Sequence, residues 1–215
     1  MNMLTLAILF ILFIGAYSGY RNGIVIGLVR TIGYTISLIL AFDYYKLLSE
    51  FIYLIIPYPS PFAPTDNPYS YYEMDMIFTL DQSYYYLISF LLIVMVGWLI
   101  TRLISQFINN FTEELTVPEP FDGIGGALIG FIFNYLTIFL FLLIASTIPY
   151  DLVQNKLSES VLADNILTNS PVLSKKSYQH FILDVHEEEI KKLPTMELEE
   201  LREKVEPEEN EENDE

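Results

Sequence analysis

The side chains able to do chemistry are few and poorly spaced for it. The two histidines, His180 and His186, lie six residues apart, which does not place them on one helix face, whereas zinc pairs on a helix sit at i and i+4. Asp184 follows His180 at that spacing, but two ligands do not close a metal site. The chain has no cysteine, which removes disulfides, thiolate catalysis and cysteine-bound metals. Neither a Gly-x-Ser-x-Gly elbow nor a Ser-x-x-Lys pair occurs. No catalytic residue, metal or cofactor is expected, and the chain reads as a non-enzyme. The polar groups that stand out are instead those set among apolar residues: Arg30, Asn134, Ser89, Thr101 and Thr137, with Arg21, Arg102 and Asp122 at the edges. Burying such groups in lipid is expensive, which makes them the functional candidates. For the arginines the favoured reading is a topological anchor whose long stem snorkels to the interface. The sharper alternative is an Arg–Asp122 pair inside a helix bundle.

The elements around these residues are membrane elements. Met1–Tyr20, Gln82–Thr101 and Gly123–Tyr150 carry no charged side chain over 20, 20 and 28 residues. A bilayer core about 30 Å thick needs about 20 apolar helical residues at 1.5 Å each. The first stretch lacks a basic n-region and is long enough to span, so it reads as an anchor rather than a cleaved signal peptide. A further span, Gly23–Phe42, carries Arg30 about 12 Å from Asn22 at helical rise, and it reads as tilted or partly re-entrant. The expected fold is therefore all-α: a four-helix transmembrane domain over residues 1–150, with spans near 3–20, 24–42, 84–106 and 123–149. Between the second and third spans, Tyr44–Tyr86 reads as an interface-hugging loop, with ten of the 16 tyrosines and prolines 57, 59, 61, 64 and 68.

Beyond the last span, residues 151–186 form an amphipathic helical segment. Leu152, Val153, Leu157, Val161, Leu162 and Ile166 recur at helical spacing up to Pro171, and this segment lies against the membrane or the bundle. Residues 187–215 hold 14 of the 28 acids. There Thr195 is placed to cap a short helix that ends at Pro207, and the rest of this acidic tail reads as disordered. The formal charge of −17 excludes nucleic acid as a partner, because phosphate backbones are met by Lys and Arg. It also argues against a polybasic lipid-docking surface. Orientation follows the bases near the spans: Arg21, Arg30 and Arg102 mark the cytoplasmic side, against Lys46 and Lys156, so both termini are expected outside.

Glycine spacing supplies the packing signal. Gly15, Gly19, Gly23 and Gly27 recur every four residues across the first hairpin, and Gly126 and Gly130 repeat that interval beside Gly123 and Gly125. Lipid tails give helices no hydrophobic reason to associate, so close backbone approach across small residues holds them. No Lys-Ser or Lys-Thr pair accompanies these glycines as a phosphate loop would require.

These residues carry a resemblance. Gly19-Tyr20-Arg21-Asn22-Gly23, then Arg30, Gly33 and Phe42-Asp43-Tyr44-Tyr45, resemble the first hairpin of the colicin V production protein family. Phe121-Asp122-Gly123-Ile124-Gly125-Gly126-Ala127-Leu128-Ile129-Gly130 is similar to the aspartate–glycine element that opens its last helix. The resemblance covers roughly residues 3–180. This chain departs from the family where two adjacent bases are usual, having Arg21-Asn22, and where a base is usual after the last Gly-xxx-Gly, having Phe131. The resemblance implies a multi-pass protein of the bacterial plasma membrane, required for production of a secreted peptide toxin (a bacteriocin), with no reaction attached. The expected role is support of toxin production and secretion or of envelope upkeep. The alternative is a small oligomeric channel or transporter with Arg30 and Asn134 along a polar path. Expected partners are the lipid bilayer and either further copies of the chain or a secretion component.

Overall fold

In a computed structural model of the chain, residues 2–59, 68–109, 118 and 121–192 are described, and every regular element among them is helical. Three helices are long and apolar enough to cross a membrane: α1 (Met3–Ile55), the stretch Asp75–Ile108 that contains most of α2 (Leu80–Asn109), and α3 (Phe121–Ser146). The first is not one rod. Gly23 has φ 74 and ψ 171 inside it, a conformation that costs glycine little and other residues much, and it divides α1 into an outgoing arm, 3–22, and a returning arm, 24–55.

The arms fold back on one another. At the start of the outgoing arm, Thr5 and Ser160 share a hydroxyl hydrogen bond of 2.8 Å. Just past the returning arm, the Tyr58 hydroxyl donates to the carbonyl of Thr147, 2.8 Å away, where α3 has ended. Both ends of α1 therefore meet the far end of α3, while Gly23 meets Asp122 at its beginning.

Two seams hold the bundle. In the first, Gly15, Gly19 and Gly23 interdigitate with Asp122, Gly126, Gly130 and Asn134 of the antiparallel α3. A Cβ added at Gly126 would lie 2.8 Å from the carbonyl carbon of Gly23, and one at Gly130 would lie 3.0 Å from the Gly19 Cα. The obstacle is backbone, so no rotamer change relieves it. Gly27, across the turn, meets α3 as well, at the Ile129 side chain; all four hairpin glycines face one helix, three from the outgoing arm and turn and one from the returning arm. The second seam joins the returning arm to antiparallel α2. Here Gly33 faces Thr101 and Ser37 faces Gly97, small residues four apart on both helices. Thr31, Ser37 and Ser105 turn their hydroxyls back to the carbonyls of Gly27, Gly33 and Thr101, so these three donors are satisfied within their own helices.

A helical cap closes the end where the chain enters and leaves the bundle. It comprises α4 (Asp151–Ser158), α5 (Val161–Asn169), α6 (Leu173–Tyr178), a π turn (Gln179–Leu183) and α7 (Asp184–Ile190). Buried Gln154 is its clamp: Nε2 donates to the carbonyls of Ser146 (3.0 Å) and Ile148 (2.7 Å), and Oε1 accepts from the Ser70 amide (3.1 Å). Those carbonyls are orphans of the α3 terminus, which a side chain must satisfy.

Several boundaries differ from the sequence expectation. The returning arm is a full helix that runs to Ile55 rather than ending near 42, so the loop does not begin at Tyr44. Asp43, Lys46 and Glu50 signal departure from lipid but not from helix: Tyr45, Ser49 and Ile52 stay buried, and the Lys46 ammonium donates to Glu188 of α7 at 2.8 Å. The next helix starts at Leu80 rather than 84 and continues to Asn109, and the last spans Phe121–Ser146 rather than 123–149. The 151–168 pattern is two helices, because Ser160 caps a fresh start by accepting from the Ala163 amide at 3.3 Å. The helix expected from Thr195 lies outside the described residues.

Gly126→Leu and Gly130→Leu should each lower thermal stability in detergent by about 3 kcal/mol or more, since overpacking against fixed backbone cannot relax. Gly125→Ala should cost less, about 1–2 kcal/mol, because its Cβ would meet the Ile24 side chain, 2.5 Å from Cδ1 and 2.9 Å from Cγ1, rather than backbone. Equal melting temperatures for the Leu variants and the parent would remove the seam.

Candidate functional site

The end of the bundle opposite the cap holds Arg21, Arg30, Arg102 and Asp122 of the polar residues that the sequence singles out. Gly23 caps the returning arm but has no side chain to satisfy its first amides. Asp122 supplies one from another helix, its Oδ1 accepting from the Ile24 amide at 2.8 Å. Asp122 also stands in the first turn of α3, so a single carboxylate serves the positive ends of two helices. A Cβ at Gly23 would lie 2.7 Å from the Asp122 carboxyl carbon. Glycine is thus required there both by its φ and by the carboxylate it admits.

The alternative to the anchor reading, an Arg–Asp122 pair, is not formed: among the described residues, no ion pair involves an arginine or Asp122. Arg21 is exposed at the turn. Arg30 is half-buried one helical stretch further in. Its Nη2 makes one long contact, 3.4 Å to Asn22 Oδ1, and its Nε is buried with no partner. Arg102 is exposed and lies over the Trp98 ring, 5.3 Å from guanidinium carbon to centroid. Its charge acts on both Arg30 and Tyr34, and Tyr34 lies within reach of the Trp98 indole N–H. Tyr34 also packs edge-on against Phe133 of α3, with centroids 4.4 Å apart. The cluster is Arg30 and Tyr34 from α1 with Trp98 and Arg102 from α2, beside the Gly33–Thr101 crossing.

Asn134 belongs to the other seam. Its Nδ2 donates to the Gly130 carbonyl at 2.9 Å, and its side chain covers Gly15. Arg30 and Asn134 therefore have separate partners. Thr137 bonds back to Phe133 (2.8 Å), and the Ser89 hydroxyl is buried without a partner. The histidines are not brought together: the Tyr45 hydroxyl pairs with His180 Nε2 at 3.2 Å, and the Thr79 hydroxyl with His186 Nδ1 at 2.9 Å. Both staple the cap to the bundle. Around them, burial raises the Tyr72 phenol, and the Lys46 hydrogen bond holds the Glu188 carboxyl below its usual range. Tyr34, Trp98 and the Gly33–Thr101 and Ser37–Gly97 seam are absent from the sequence candidates. The four-residue interval from Gly33 to Ser37 and Ala41, and from Gly97 to Thr101 and Ser105, is the signal that reveals the seam.

Long apolar helices locked by backbone-to-backbone glycine crossings define a multi-pass α-helical membrane protein. The family model of the colicin V production protein matches residues 4–171, and the chain belongs to that family. It is similar to the uncharacterized transmembrane protein YshB of Bacillus subtilis (strain 168), with 27% identity over 173 residues, covering 80% of this chain and 93% of that one. No solved structure matches.

Asp122→Ala leaves the Ile24 amide unpaired and should cost about 1–2 kcal/mol, the range for a lost helix cap. Asp122→Asn retains an acceptor and should cost less than half as much. Hydrogen exchange at the Ile24 amide, together with detergent melting curves, checks both; unchanged exchange in Asp122→Ala would show that the cap does not operate.

Proposed function

We propose that this chain is a non-enzymatic protein of the bacterial plasma membrane that crosses the bilayer four times. It supports production and secretion of a peptide toxin, or upkeep of the envelope, by presenting its helical cap to a secretion component or to another copy of itself. The observation that carries this reading is the cap. Residues 151–190 are bound to the bundle end by Gln154, by the two histidine–hydroxyl pairs and by Lys46–Glu188, which makes a rigid platform at the membrane surface. The separate surroundings of Arg30 and Asn134 favour this over the channel reading, which needs them along one lane. Family membership supports the connection to toxin production.

Deletion of the gene in a toxin-producing strain should lower the ratio of secreted to intracellular peptide. The wild-type chain should restore it, and a Gln154→Leu/His186→Ala variant, whose cap is loosened, should not. Purified protein in liposomes should add no solute leak over empty vesicles. Leak from those liposomes combined with undisturbed secretion in the deletion strain would overturn the proposal in favour of a channel.

The orientation places the arginine end in the cytoplasm. Arg21, Arg30 and Arg102 collect at the turn end, whereas Lys46 and Lys156 are at the cap end with Glu188 and Asn2. The cap's Lys175, Lys176, Lys191 and Lys192 lie beyond the roughly 15–20 residues from a span over which bases set topology. Single cysteines at exposed Asn169 and at Asn22 test this; Ser170 is buried and unsuited to labelling. An impermeant thiol reagent should modify the Asn169 site in intact cells and spare the Asn22 site, and the reverse pattern inverts the orientation.

A further inference from the structure

Arg30 and Arg102 present two positive charges on one side of the crossing between α1 and α2, and the Nε of Arg30 is buried with no partner. A desolvated guanidinium with unmet donors is costly, by several kcal/mol, unless an anion meets it. The surroundings say what kind of anion reaches it. Leu28, Ile32, Leu99 and Leu103 flank the cluster and are each at least half exposed, as lipid-facing side chains are. Arg30 lies seven residues inside the Gly23 turn, about 10 Å at helical rise. Tyr34 and Trp98 supply the amphipathic rings that settle at headgroup level. Beyond them, α2 and α3 each pack mainly on α1 and hardly on each other, leaving the cluster open sideways between them.

We propose that Arg30 and Arg102, with Tyr34 and Trp98, hold the phosphate of one anionic phospholipid, whose acyl chains run along the apolar flanks of α1 and α2. Arg30 donates Nε–H and Nη–H to the phosphate oxygens in the forked manner that guanidinium favours. Arg102, steadied by its stack on Trp98, closes the other side. The site is local, so the acidity of the chain as a whole does not oppose it: Asp122, at the same end, is engaged by the Ile24 amide, and the acids of the cap lie at the other end of the bundle.

Trp98 is the single tryptophan of the chain and reports directly on its neighbouring lipid. The protein is reconstituted in phosphatidylcholine vesicles that contain brominated phosphatidylglycerol, or brominated phosphatidylcholine, at the same mole fraction. The brominated anionic lipid should quench Trp98 well beyond the brominated zwitterionic one, corresponding to about tenfold enrichment at the site. Arg30→Gln/Arg102→Gln should abolish that excess while leaving quenching by brominated phosphatidylcholine unchanged, which shows that the variant is inserted and folded. Arg21→Gln, outside the cluster, should keep the excess. Equal quenching by the two lipids in the wild-type chain overturns the proposal without reference to any variant. Loss of the excess in Arg21→Gln as large as in the double variant would reduce it to diffuse surface charge. Relief of the excess by inorganic phosphate would assign the cluster to a soluble anion instead.

Discussion

The bundle depends on the contact between Asp122 and the start of the returning arm. In lipid an unpaired amide has no water to turn to, and helices have no hydrophobic force drawing them together. The Asp122 carboxylate answers both conditions at one point: it satisfies the Ile24 amide and ties the beginning of α3 to the turn of α1. From that point the first seam runs in fixed register, Gly23 at Asp122 and Gly126, Gly19 at Gly126 and Gly130, Gly15 at Gly130 and Asn134. Sliding α3 by one residue would bring Ala127 and Phe131 against a backbone that has room for glycine alone.

The family hairpin, the all-α class and the first seam are legible in the sequence because each leaves a periodic or compositional trace: uncharged stretches long enough to span, and glycine every fourth residue. The second seam is less visible because its small residues are of three types, Gly33 with Ser37 on one helix and Gly97 with Thr101 on the other, and no single letter recurs at the four-residue interval. The length of the returning arm was hidden for a different reason. Charge at Asp43, Lys46 and Glu50 marks the edge of lipid, and a helix that leaves lipid can continue under a cap supplied by residues 135 and 142 positions later, His180 and Glu188. Asp122 was readable as important but not in its role, since an acid among arginines suggests an ion pair, and only the fold shows that a backbone amide takes it. The arginine cluster likewise joins residues 72 positions apart, Arg30 and Arg102, that no local pattern connects.

Charge is separated along the bundle axis in a way that the net value of −17 conceals. Among the described residues, one end presents Arg21, Arg30 and Arg102 beside one acid, Asp122, whose carboxylate takes the Ile24 amide. At the other, lysines are interleaved with a larger number of acids and tied to them, as in Lys46–Glu188, Lys191–Glu187 and Lys192–Glu189. Exposed pairs of that kind contribute little stability. The cap is held instead by its more buried polar contacts, among them Gln154 on the end of α3 and the Thr79 hydroxyl on His186 (2.9 Å), where an unmade bond is expensive.

That α2 and α3 rest on α1 rather than on one another has a mechanical consequence. A hinge needs a spine, and here the hairpin is the spine, with one helix fastened along each of its arms by a separate row of small residues. A rolling motion of α2 about Gly33 and Ser37 leaves the glycine contacts of α3 undisturbed, and the converse holds for α3. Beside their few direct contacts, the two leaves are coupled through the cap, whose helices are bonded to both, so whatever grips the cap bears on the angle at which they stand.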